Sequence, residues 1–525
     1  MRAKGWVVLV ILPIIFSFCW VTLRPWSVPR TLPTQVLYDE VVLDPPPIRC
    51  GEEIWVPARE FGVVAPGSGY IPLSQVVPAG SKTSPEDNGE VIRVPLWGSG
   101  SQRDSHYRYY PVYQINAQLD PEKRVIKGHL TLAYQNPYFY PLYDLLFNLP
   151  SNGWPGGENS LTIQEVTLNN EPASFRIKGS RLEVSLRQAL TSGETLKAEI
   201  SFTTYLPERP DRLGVWEDIF VVSGWYPILS PRGGGTWCGM AGGLVWGEPY
   251  FSDSAYYNIE LELPSFLTVL ASARSTGTDQ RGNQVLWTFT SEKPIREFAF
   301  VLGKGWEKAS VQVDHTLITM AFRERVVPSF LDTAVRAFKF FKDYWGPYPY
   351  SYLNLVEAPL RNFYGMEYPG LILLSTYRGY TPTVIIHEVA HQWWYNLVGN
   401  DSLRAPWIDE GLAEYSTLLY YRTYEPELYE RLKVNIIAEA GERLSLEELS
   451  ELLNREFTDF ASEKDYRRAA YRQGAVYWLK MEEKMGVKAL QEALRYIQEY
   501  YRFERLEPRW LENILEFYSH HHKKE

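Results

Sequence analysis

The 525-residue sequence predicts a multidomain α+β protein with an N-terminal membrane anchor, a β-sandwich-like domain and a mainly helical C-terminal domain. Three observations carry this reading. An unbroken apolar stretch opens the chain. From about residue 105 the apolar residues recur with a period of two, as in strands with one buried face. Beyond residue 325 the period becomes helical. Length argues the same way, because a single hydrophobic core rarely serves more than ~300 residues.

The first element follows Arg2 and Lys4. Residues 5–23, GWVVLVILPIIFSFCWVTL, carry no charge. As a helix they would span roughly 28 Å, close to the hydrocarbon thickness of a bilayer. Phe16, Phe18, Trp20 and Leu23 stand where a cleaved signal would carry small residues. Residues 1–23 therefore read as a retained single-pass signal anchor in the cell membrane, with the body of the protein outside the cytoplasm. Residues 24–104 contain Pro45-Pro46-Pro47, Gly67-Ser68-Gly69 and Gly98-Ser99-Gly100 and read as a stalk or linker.

Residues 105–324 form the β-sandwich-like domain. Tyr113, Ile115, Ala117 and Leu119 alternate with Gln114, Asn116 and Gln118, and Tyr257 to Leu263 repeat the pattern. The glycines from Gly233 to Gly243 lack the Lys-Ser/Thr ending of a phosphate loop, so they read as an ordinary loop. Residues 325–525 form the helical domain, where Phe330, Ala334, Ala337 and Phe341 share a helix face ending near Gly346.

Composition removes several functions. A net charge of -10 gives nucleic acid no basic footprint. Three cysteines, Cys19, Cys50 and Cys238, exclude a disulfide scaffold and a cysteine-rich zinc ribbon. Only Cys50 and Cys238 lie outside the apolar run, and two free thiols are the plainer reading of that pair.

The chemistry lies in Thr383-Val384-Ile385-Ile386-His387-Glu388-Val389-Ala390-His391. Thr381 or Thr383 can cap a helix here and Gly399 can end it, which predicts about four turns. His387 and His391, at i and i+4, share one face and can bind one ion, with Glu388 beside the ion's water rather than on the ion. Nineteen residues after His391 stands Glu410, within the first turns of a helix that Pro406 would begin. Two histidines and one glutamate leave a fourth position open, the mark of a catalytic zinc, one per chain. Glu414, one turn on, either orients a ligating imidazole or lies on a solvated face.

An HExxH segment followed by this glutamate resembles the gluzincin aminopeptidases, the aminopeptidase N family, over roughly residues 105–525. The resemblance implies a thermolysin-like catalytic domain after the β-sandwich, without the helical C-terminal domain of larger members. It implies a peptidase acting on peptides with a free N-terminus. Tyr364-Gly365-Met366-Glu367-Tyr368 is similar to the family's substrate-binding segment, which assigns Glu367 to the substrate's α-amine and Gly365 and Met366 to its surroundings. Tyr364 and Tyr368 stand where the family has glycine and asparagine, and an anchored endopeptidase or other zinc hydrolase is the alternative. Tyr471-Arg472-Gln473-Gly474-Ala475 is similar to the family's Tyr-x-x-Gly-Ala segment, which assigns transition-state stabilisation to Tyr471. The expected catalytic pair is then Glu388, as general base, and Tyr471.

Overall fold

The computed structural model describes residues 48–50 and 53–55 and, between 110 and 521, all but 155, 234, 241–246, 324–327 and 442–443. The apolar run 5–23 lies outside the described residues. So does the stalk, apart from the short antiparallel pair Ile48–Cys50 and Glu53–Trp55. Among the described residues, no helix is long and apolar enough to cross a membrane. Cys238 is a buried free thiol.

Alternation builds the first large sheet. Along Val112–Asp120, Tyr113, Ile115, Ala117 and Leu119 are buried while Gln114, Asn116 and Gln118 face solvent. This strand pairs antiparallel with Val125–Gln135 and parallel with Tyr256–Pro264, within an eight-stranded sheet. A four-stranded sheet containing Leu142–Asn148 and Arg181–Leu190 packs Leu145, Phe147, Leu182 and Val184 into the same hydrophobic cluster as Ile115, Leu130 and Ile200. Burial of such side chains, each worth about 1.5–3 kcal/mol, holds the two sheets together.

A five-stranded sheet carries the chain into its second half. Its order is Glu307–Val313, Thr316–Phe322, Tyr352–Ala358, Leu371–Ser375 and Gly365–Tyr368. The middle three run parallel, and Gly365–Tyr368 is an antiparallel edge. The sequence places a domain boundary at 324/325, which falls inside this sheet. The reason is physical: periodicity reports that a strand has a buried face, not which sheet it joins. The second half is mainly helical, as the periodicity predicts, with three strands, Tyr352–Ala358, Gly365–Tyr368 and Leu371–Ser375, among its helices.

One face of this sheet packs Met366, Tyr368, Leu371 and Leu373 against Ile219, Val221, Leu270 and Val301 of the β-rich half. Helix Pro328–Trp345 buries Ala334, Ala337, Phe338 and Phe341, and the chain turns away at Gly346, whose φ is 125°. Arg296, from the β-rich half, is buried and donates to the carbonyls of Tyr395, Ser252 (3.0 Å) and Glu504 (2.7 Å). These three acceptors come from distant parts of the chain, so one guanidinium fastens both halves.

Candidate active site

The first ligand helix is Pro382–Ala390. Thr381 Oγ1 accepts the Val384 N–H (3.4 Å) and Pro382 occupies the first turn, where its missing N–H costs nothing. The helix ends well before Gly399. Gln392 and Trp393 donate three residues back, to Val389 O (3.1 Å) and Ala390 O (3.0 Å), and Tyr395 takes a positive φ of 145°. Trp393 and Trp394 are fully buried at this point, and Trp393 Nε1 donates to Gly346 O at 2.9 Å. The tight turn has a chemical result. It returns the Trp394 carbonyl to 2.9 Å from His391 Nδ1, which makes Nδ1 the protonated nitrogen and leaves the Nε2 lone pair for a metal.

Glu410 lies in the first turn of the second ligand helix, Trp407–Tyr424, preceded by Pro406. His387 Nε2 and His391 Nε2 are 3.1 Å apart, and Glu410 Oε2 lies 3.3 and 3.2 Å from them. The edge of a tetrahedron is about 1.6 times its centre-to-vertex length, so bonds of ~2.0–2.1 Å put ligand atoms roughly 3.3 Å apart. The three atoms have the spacing that zinc requires. Among the described residues, this is the one cluster of His, Cys, Asp or Glu with such a geometry. Glu414 Oε1 stands 3.6 Å from His387 Nδ1, and Arg472 holds its other oxygen at 3.0 Å.

Glu388 is buried beside the ligands. Its Oε2 has no hydrogen-bond partner, and Gly365 on the edge strand leaves room for its carboxylate. Burial, reinforced by Glu367 and Glu410, pushes its pKa well above the usual carboxylate range. Glu367 is buried on the same strand, two residues from Gly365 and hence on the same face. Its pKa is also raised, by burial first.

Met366 and Tyr368 point the other way. Met366 packs into the hydrophobic cluster behind the sheet, so its side chain is remote from the ligands. The Tyr368 hydroxyl donates to Ser223 Oγ at 2.7 Å. The bulky ring that replaces an asparagine therefore lies behind the edge strand.

Tyr471 comes from a π-helical turn, Arg468–Gln473. Single π turns inside helices frequently mark functional positions. This one aims the Tyr471 hydroxyl at Glu410 Oε1 and stacks its ring on His387, centroids 5.9 Å apart. Burial and the Glu410 charge push the phenol pKa well above its usual value, so it stays a proton donor.

Two contributors are not evident from sequence alone. Gln392, fully buried, accepts the Gly370 N–H (2.9 Å) and donates to Tyr368 O (3.3 Å), tying the ligand segment to the edge strand. Its position next to His391 is the one signal the sequence offers. Arg472 is visible as a charge beside Tyr471, but its contact with Glu414 depends on the π turn.

Residues 330–523 match the family described as Peptidase family M1 domain. Leukotriene A-4 hydrolase of Xenopus laevis is 26% identical over 277 residues, covering 49% of this chain and 44% of that protein. Aminopeptidase M1-B of Oryza sativa subsp. japonica is 27% identical over 283 residues, covering 49% of this chain and 31% of that protein. The chain thus spans less than half the length of these relatives. An M1 zinc metallopeptidase from Deinococcus radiodurans shares the fold, with a TM-score of 0.60 at 19% identity over 78% of this chain and 91% of that one.

Proposed function

We propose that the protein is a zinc aminopeptidase that removes N-terminal residues from peptides, a reading that proceeds from the match of residues 330–523 to the peptidase family M1 domain. The observation that carries this reading is the His387–His391–Glu410 triangle, with the open oxygen of Glu388 beside it and buried Glu367 on the facing strand. Zinc held by these three side chains supplies Lewis acidity, polarising a carbonyl and bringing the pKa of water towards ~7.

The remaining work falls to side chains. Glu388 takes a proton at Oε2 and delivers it to the leaving amine, and its desolvated setting raises its basicity for the task. Tyr471 turns its O–H from Glu410 to the developing oxyanion. Glu367 pairs with the substrate ammonium and so counts residues from the free end. A blocked or internal peptide leaves this buried carboxylate unpartnered, which is costly. Cleavage of one peptide with a free and with an acetylated N-terminus, with and without chelator, tests the reading. Equal rates on both peptides, sensitive to chelator, would establish an endopeptidase instead.

Two fold relatives are described with peptide or amino-acid ligands. An M1 zinc metallopeptidase mutant from Deinococcus radiodurans is bound to a Tyr-Ser-Ala substrate, and a two-domain M1 zinc metallopeptidase mutant is bound to L-arginine.

Residues 5–23 are proposed to anchor the protein in the cell membrane with the peptidase outside the cytoplasm. The uncharged 19-residue run behind Arg2 and Lys4 supports this. Carbonate extraction that releases the full-length chain from membranes contradicts it.

A further inference from the structure

The edge strand sets a direction for the peptide. Glu367 marks the amine end, and Gly365 lies against Glu388, where the bond is cut. A peptide whose first residue is held at Glu367 and cut at Gly365 continues past Tyr364 towards Arg361. Two arginines stand there.

Arg361 is exposed, lies 5.4 Å from the Tyr377 ring centroid and donates to its hydroxyl at 3.1 Å. Arg378 is exposed, lies 5.2 Å from the Tyr364 ring centroid, and donates through Nε to Arg361 O at 2.7 Å. The backbone around them is fixed. Ser375 N donates to Tyr364 O (2.9 Å), Arg378 N to Ser375 Oγ (2.9 Å) and Arg361 N to Pro210 O (3.0 Å). Among the described residues, neither guanidinium is paired with a carboxylate. Neighbouring Arg467 differs: it donates to Asn362 O at 3.4 Å, but Glu463 already neutralises it at 2.8 Å.

Two pre-oriented guanidinia without counter-ions, in a chain of net charge -10, are a receptor for anionic oxygen. We infer that Arg361 and Arg378 form the downstream specificity site of this peptidase and bind a carboxylate on the residues following the cleaved bond. The carboxylate is either the C-terminus of a short peptide or an acidic side chain. The inference rests on the proposed aminopeptidase reading, which supplies the direction of the peptide.

The test measures kcat/KM on three peptides with the same free N-terminal residue: a tripeptide acid, its C-terminal amide, and an amide carrying aspartate at the third position. The acid should exceed the plain amide by roughly fivefold at low ionic strength, the scale of exposed charge pairs. The advantage should shrink in salt, and the Arg361→Gln, Arg378→Gln double variant should bring the ratio to about one. The aspartyl amide separates the two sources of the carboxylate. If it matches the acid, side chains serve as well as termini; if it matches the plain amide, the site reads the terminus alone. Equal rates on all three peptides in the wild type overturn the inference while leaving the aminopeptidase standing, as does a preference that survives in the double variant. Hydrolysis of none of them removes the aminopeptidase reading and the inference with it.

Discussion

At Gly365 the absence of a side chain is a requirement of the close approach of Glu388. A Cβ there would lie 2.6 Å from Glu388 Cδ, so alanine must displace the base or the strand. Gly365→Ala is expected to lower kcat by roughly a hundredfold, the cost of about 1 Å of misplacement, with zinc content unchanged on metal analysis. Glu388→Gln should keep its zinc and lose turnover by about 10²–10⁴-fold, since it removes the proton acceptor and none of the ligands. Activity near wild type in that variant assigns the base elsewhere. Tyr471→Phe removes the proposed oxyanion donor and should depress kcat by roughly a hundredfold with KM little changed. A change in KM alone would make Tyr471 a packing residue. His387, His391 and Glu410 are legible in the amino-acid sequence because metal geometry imposes fixed spacings on a helix and on the chain after it. Arg361 and Arg378 are not, since they meet in loops that flank a strand pair and no periodicity connects them.

Two helices meet backbone to backbone at a pair of glycines. A Cβ on Gly474 would lie 3.0 Å from Gly411 Cα and 3.2 Å from Trp407 O, so the helix after the π turn packs directly on the backbone of the second ligand helix. Gly474→Ala should destabilise the fold by about 1–3 kcal/mol in urea denaturation and also disturb Tyr471, three residues earlier. A variant of unchanged stability would show that the two helices can separate freely. The π turn itself leaves no trace in composition, because an i→i+5 ladder is chosen by tertiary contacts such as those of Tyr471 with Glu410. The early end of the first ligand helix is illegible for the same reason. Burial of Trp393 and Trp394 outweighs the helical continuation that the pattern to Gly399 invites.

For the whole molecule, a metal that binds only the folded chain stabilises it. Zinc at about 100 times its dissociation constant should add about 2.7 kcal/mol, so chelation should lower the Tm and added zinc restore it. A Tm indifferent to chelator would mean that the triangle is empty in solution. The five-stranded sheet bears on a different question, which part of the chain can stand alone. The segment recognisable by family similarity begins at residue 330, yet Tyr352–Ala358 owes one of its neighbours to Thr316–Phe322, upstream of that point. Excised at residue 330, the recognisable segment would present a bare row of amide and carbonyl groups along a buried, apolar strand, a template for joining other copies of itself. It should precipitate as a β-rich aggregate where the chain beginning at residue 110 stays in solution.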